Sequence, residues 1–118
     1  TDSPGSAKVE ELAKAAGLEA SEFSREFDDA AALIMLAMEA AKSSDSSMLK
    51  NTMMSVANEP GEKIYPGELA KGLKILKDGG EIDYVGASAV EMVGSGESAG
   101  NYKEMLVKDG AFTVAKYR

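Results

Sequence analysis

Histidine, cysteine and tryptophan are absent from the 118 residues. Without His or Cys the chain has no Ser-His-Asp or Cys-His catalysis, no imidazole or thiolate metal ligand, no disulfide and no redox pair. A Cys-free chain is indifferent to whether its surroundings oxidise thiols, so this absence leaves the compartment open. Aromatics are scarce, with four Tyr and three Phe. Basic residues are the minority, 13 against 20 acidic, for a net charge of −7. The Lys and Arg are scattered, whereas phosphate neutralisation needs a concentrated basic surface, so no nucleic-acid partner is expected. No long apolar run occurs either. The longest, Ala30 to Met38, has nine residues between Asp29 and Glu39, about half of a bilayer span, and reads as a core helix segment. The chain opens Thr1-Asp2-Ser3 with neither an initiator Met nor a signal-peptide pattern, so a preceding segment is expected to have been removed.

What is present suits a folded domain. Hydrophobic residues make up 44% of the chain, an ordinary globular share, and the length is that of one domain or a piece of one. Ser3-Pro4-Gly5-Ser6 can open a short helix over Ala7 to Ala16, where Val9, Leu12, Ala13 and Ala16 keep the helical rhythm and Gly17 ends it. A second helix is expected from Ser21 to Lys42, with Phe23, Phe27, Ala30, Ala31, Ile34, Met38 and Ala41 on one broad stripe and Ala, Leu and Met filling the rest. Asp45 is placed to cap a third helix through Asn58. Asn58-Glu59-Pro60-Gly61 reads as a turn, and Tyr65-Pro66-Gly67-Glu68 starts a fourth helix with Pro66 in its first turn. Beyond Lys77-Asp78-Gly79-Gly80 the pattern changes to short β-type runs: Ile82 to Val85, Val90 to Val93, Tyr102 to Val107 and Ala111 to Tyr117. Asp109-Gly110 joins the last two as a hairpin. The expectation is an α+β chain: a helical part over 1–80, then antiparallel strands and a C-terminal hairpin over 81–118. Leu33, Ile34, Leu69, Leu73, Leu76 and Phe112 are expected to be buried.

Few residues carry chemistry. Gly94-Ser95-Gly96-Glu97-Ser98-Ala99-Gly100 is glycine-rich like a phosphate loop, but it lacks the Gly-Lys-Ser/Thr ending and a following helix, and reads better as a flexible inter-strand turn. Glu26, Asp28 and Asp29 cluster near the start of the apolar helix. Paired carboxylates, a hard-cation site and an anchor for the ammonium of a solute are all open to them, beside the plainer reading of acids favoured by the positive helix end. The seven Met residues fit core packing better than a soft binding surface. Glu10 and Lys14 form a helix-face pair of small consequence. No catalytic set, metal site or cofactor site emerges, and no enzyme is expected.

From Asp28 onward the order of features resembles the C-terminal part of type I periplasmic solute-binding proteins, the branched-chain amino-acid-binding family of ABC importers. The matching pieces are Asp29-Ala30-Ala31-Ala32-Leu33-Ile34, Pro60-Gly61-Glu62, Tyr65-Pro66-Gly67-Glu68, Ile82-Asp83-Tyr84-Val85-Gly86-Ala87-Ser88 and Val107-Lys108-Asp109-Gly110-Ala111-Phe112. Where the family usually has Tyr-Asp this chain has Asp28-Asp29, and Met92-Val93-Gly94-Ser95-Gly96 replaces an acidic turn after an aromatic strand. The resemblance implies a periplasmic or extracellular two-lobed α/β protein, or a C-terminal fragment of one, that captures an amino acid or similar small solute and delivers it to the importer's membrane subunits. It also implies a solute contact at Phe23, with Glu26 and Asp28 as the next ligand-binding candidates. The alternative expectation is a stand-alone interaction module that has lost the cleft and buries its apolar faces by self-association. In either case helix Ser21 to Lys42, apolar around most of its circumference, predicts a homo-oligomer.

Overall fold

The computed structural model describes residues 3–21, 23–94, 96–100 and 102–117. Among the described residues four helices, α1 (Pro4–Ala15), α2 (Ser24–Ala41), α3 (Ser46–Ala57) and α4 (Leu69–Lys77), accompany six short strands. These are β1 (Glu62–Ile64), β2 (Ile82–Tyr84), β3 (Glu91–Gly94), β4 (Glu97–Ala99), β5 (Lys103–Lys108) and β6 (Ala111–Tyr117). The result is a small α+β fold.

Local chemistry sets the helix ends. Pro4, which has no N–H to leave unsatisfied, stands in the first turn of α1, so that helix starts before the expected Ala7. At its far end Gly17 donates to the Lys14 carbonyl and Leu18 to that of Ala13, the paired closing bonds of a helix that turns left-handed at glycine. Asp45 accepts from the Ser47 N–H at 2.8 Å and caps α3 as its sequence predicts. Tyr65-Pro66-Gly67-Glu68 closes as a turn before α4, with Glu68 donating back to the Tyr65 carbonyl and Gly67 at φ +86. Pro66 therefore lies in that turn and not inside the helix.

Two strands were not expected. Glu62-Lys63-Ile64, between the Asn58-Glu59-Pro60-Gly61 turn and Tyr65, pairs in parallel with Ile82-Asp83-Tyr84 across α4, and β4 lies within the segment read as an inter-strand turn, pairing antiparallel with β3. The strand region is thus two antiparallel pairs plus one strand of a parallel pair whose other member belongs to the helical half.

The core forms where α2 packs on α3 and α4, and where α3 and α4 meet the parallel pair. Leu36, Val56, Ile64, Ile82 and Tyr84 are its largest fully buried side chains. Leu33 is buried as expected, and Leu69, Leu73 and Leu76 are half-buried against this cluster. Ile34 and Phe112 are corrections, at 45% and 77% exposed. Helix α2 is apolar on two sides, and the side facing the core carries Ala32, Leu33, Leu36 and Ala37. The stripe containing Phe23, Phe27, Ile34 and Met38 faces outward. Phe112 is exposed because β5 and β6 pair with each other and make no substantial contact with any other element. This arm accounts for a longest extent of 55 Å and a radius of gyration of 15.9 Å, against about 13.5 Å for a compact chain of this length. Among the described residues no helix is long and apolar enough to cross a membrane.

Candidate functional site

The most specific polar constellation joins the second turn of α2 to the loop that leaves the carboxyl end of β2. Asp29 is 2% exposed. Its Oδ1 accepts from the Ala87 N–H at 2.7 Å and the Tyr84 hydroxyl at 3.1 Å. Its Oδ2 accepts from the Ser88 N–H at 2.8 Å and the Ser88 hydroxyl at 2.5 Å. Four donors on one carboxylate meet the demand of burying a charge away from water. Burial, together with the neighbouring Asp29 and Asp28 carboxylates, pushes the Tyr84 phenol above its ordinary range, so Tyr84 stays protonated and donates.

Backbone geometry makes this grip possible. Gly86 sits at φ +62, and a Cβ there would come within 2.2 Å of Asp29 Oδ1. Helix α1 approaches the same loop from outside. A Cβ on Gly5 would lie 1.9 Å from the Gly86 carbonyl oxygen, the Ser3 hydroxyl donates to the Ala87 carbonyl, and Glu10 pairs with Arg25 of α2. Glu10 therefore reaches across to α2 and does not take Lys14 as its partner. A second clamp holds the strand after the loop: the Asn58 side chain donates to the Met92 carbonyl at 2.8 Å and accepts from its N–H at 2.9 Å. The side chain imitates a strand neighbour.

Beside the gripped loop lies an open groove of 270 Å³, lined by Glu26, Ala30, Leu33 and Ile34 from α2, Met53 from α3, and Ser88, Val90 and Met92 after β2. Its wall is apolar. Glu26, Ser88 and Ser98 are polar groups in its lining, and the Ser88 hydroxyl is already committed to Asp29. Of the three expected site residues, Glu26 lines this groove. Asp28 lines another, of 90 Å³, with Met35, Tyr65, Pro66, Leu69 and Tyr84. Positions two apart on a helix point in nearly opposite directions, so Glu26 and Asp28 are kept apart. Burial, and secondarily the Asp29 charge, raises the Asp28 carboxyl above its usual range. Phe23, at φ 67 at the cap of α2, is 66% exposed and lines neither groove. Among the described residues no group of three or more acidic side chains is close enough to hold a metal ion.

The Met residues divide. Met92 is buried, and Met53 and Met54 pack on the core, while Met35, Met38, Met48 and Met105 are exposed.

Sequence reading placed Asp29 in an acidic cluster and did not anticipate its role as the structural centre of the site. Its partners lie at least 55 residues away, beyond any local spacing rule. Comparison with protein-family models, with curated proteins and with solved structures finds no match to this chain.

Proposed function

We propose that the chain is a solute-binding component of an ABC importer, or a C-terminal part of one, and that it takes an amino acid or a similar small solute in the groove beside Ser88. One observation carries this reading: the groove opens where β2 of the parallel pair ends, on a loop fixed by a buried carboxylate. Ligands of open α/β sheets bind outside the carboxyl ends of the strands, where loops converge. A volume just below the roughly 300–1,000 Å³ of drug-sized sites suits a small solute. The apolar wall would receive an aliphatic side chain and Glu26 an ammonium. The resemblance adds the setting, a periplasmic or extracellular protein that meets the importer's membrane subunits.

A single wall leaves much of a solute in water, so binding by this chain alone is weak, in the millimolar range, where about −4 kcal/mol is available. Titrating the isotope-labelled chain with leucine, followed by amide NMR, should shift Ala30, Ile34 and Ser88, and Glu26→Gln should weaken the response. Absence of any localised shift at millimolar leucine, or an unchanged response in Glu26→Gln, contradicts the reading.

The second reading is a self-associating interaction module. It is favoured by the apolar stripes that α2 and the β5–β6 arm leave exposed.

A further inference from the structure

The β5–β6 arm is amphipathic in a way its register makes plain. Cross-strand partners share a face, and the pairs Val107 with Phe112, Met105 with Val114, and Lys103 with Tyr117 fall on one side. A bulge leaves Ala115 without a partner between Val114 and Lys116, and so returns Tyr117 to the side of Val114. The other side carries the Lys116–Glu104 ion pair at 3.7 Å, Lys108 and Thr113, with Leu106 as its one large apolar side chain. All five apolar side chains of the first side are 44% to 77% exposed. A two-stranded hairpin is marginal in water unless such a face is covered.

The body offers a surface of matching length, pattern and charge. Phe27, Ile34 and Met38 follow one side of α2, Phe23 stands at its cap, and the four are 37% to 76% exposed. At 1.5 Å per residue this stripe runs about 22 Å. The six-residue strand β5 runs about 20 Å at roughly 3.3 Å per residue. Residues 102–118 hold four basic and two acidic side chains, net +2, which leaves −9 on residues 1–101. Glu26 and Asp28 flank the α2 stripe.

We propose that the hairpin stripe of one copy lies along the α2 stripe of a second copy, reciprocally, in a two-fold dimer. This rests on the self-association reading, and because Ile34 and Glu26 also line the groove, the hairpin of a second copy and a solute in the groove would compete. Two-fold symmetry makes each contact twice. Two hairpin stripes and the two helix stripes that receive them, each of several hundred Å², together reach about the 1,600 Å² of a standard stable interface. The hairpin, net +2, then meets a body of net −9, whereas hairpin on hairpin would bring two net-positive segments together.

The absence of native Cys makes a clean test. The Val107→Cys chain is mixed with the Phe27→Cys chain under mild oxidation, beside light scattering of the wild-type chain at micromolar concentration. The expected results are a wild-type dimer and a disulfide-linked species that is predominantly Val107→Cys joined to Phe27→Cys. Phe112→Ser, at an exposed position that leaves the helical circular dichroism intact, should raise the dissociation constant about tenfold. Predominant Val107→Cys homodimers would overturn the proposal in favour of hairpin on hairpin. A dimer with neither link, or one indifferent to Phe112→Ser, overturns the proposed surfaces and leaves the module reading standing. A wild-type monomer at these concentrations overturns both.

Discussion

The body around Leu36 and the β5–β6 arm are built on opposite terms. The body's three-residue parallel strands β1 and β2 would be negligible alone, yet Ile64, Ile82 and Tyr84 are almost wholly buried, and three helices cover them. The arm has longer strands and a turn with Asp109 at φ 53 and Gly110 at φ 78, the left-handed pair that a tight hairpin prefers. It nevertheless buries almost nothing: every residue of β6 is exposed. Short strands survive here by tertiary burial, and long ones by local geometry. Backbone pairing alone contributes little net free energy, because water offers the same bonds, so the two regions differ in how much apolar surface they remove from water.

Breaking the body's polar centre should have the largest effect. Asp29→Ala strips the buried Tyr84 hydroxyl and the N–H groups of Ala87 and Ser88 of their acceptor, and each buried donor left unsatisfied costs about 1–3 kcal/mol. Thermal unfolding should show Tm lower by more than about 10 °C, with the arm's NMR signals unchanged. Next, Leu36→Ala opens a cavity at a fully buried site and should cost about 2–5 kcal/mol by urea denaturation.

On the arm, Gly110→Ala forces a side chain into positive φ in the hairpin turn, a local cost of about 1–2 kcal/mol. It should abolish amide protection in β5 and β6 without moving the body's Tm. A Tm shift equal to that of a core substitution would mean that the two regions fold as one unit. The smallest effect belongs to Asp28→Asn. An acid whose folded pKa is raised above its unfolded value carries an unfavourable contribution once pH rises past the unfolded value, and none in acid. Burial and Asp29 raise the Asp28 carboxyl, so the substitution should stabilise slightly near neutral pH, by about 0.5 kcal/mol or less. The gain should vanish in acid.

The same contrast explains what could be read from the sequence. Features fixed by neighbours along the chain were legible: the Asp45 cap, the Gly17 stop and the Asp109-Gly110 turn all follow from one residue's local preferences. Features fixed at a distance were not. Glu62-Lys63-Ile64 lies between Pro-Gly turns, and its pairing with Ile82-Asp83-Tyr84 leaves no periodic trace in three residues. Glu97-Ser98-Ala99 is small, polar and framed by glycines, so nothing marks it as a strand. The α2 periodicity reveals an apolar stripe, but a helix apolar on two sides does not disclose which side meets the core, and Ile34 lies on the outer one. At the candidate site, Glu26 and Asp28 were grouped by proximity in sequence, which helical geometry then separated.

If the body is self-sufficient and a second copy stabilises the arm, the two regions should respond differently to dilution. Amide hydrogen exchange measured across a concentration series reads both regions at once. Protection around Leu36, Ile64 and Ile82 should be independent of concentration, while protection in Lys103–Lys108 and Ala111–Tyr117 should rise with concentration in step with dimer formation. Protection of the arm that is the same in dilute monomer as in concentrated solution would contradict it.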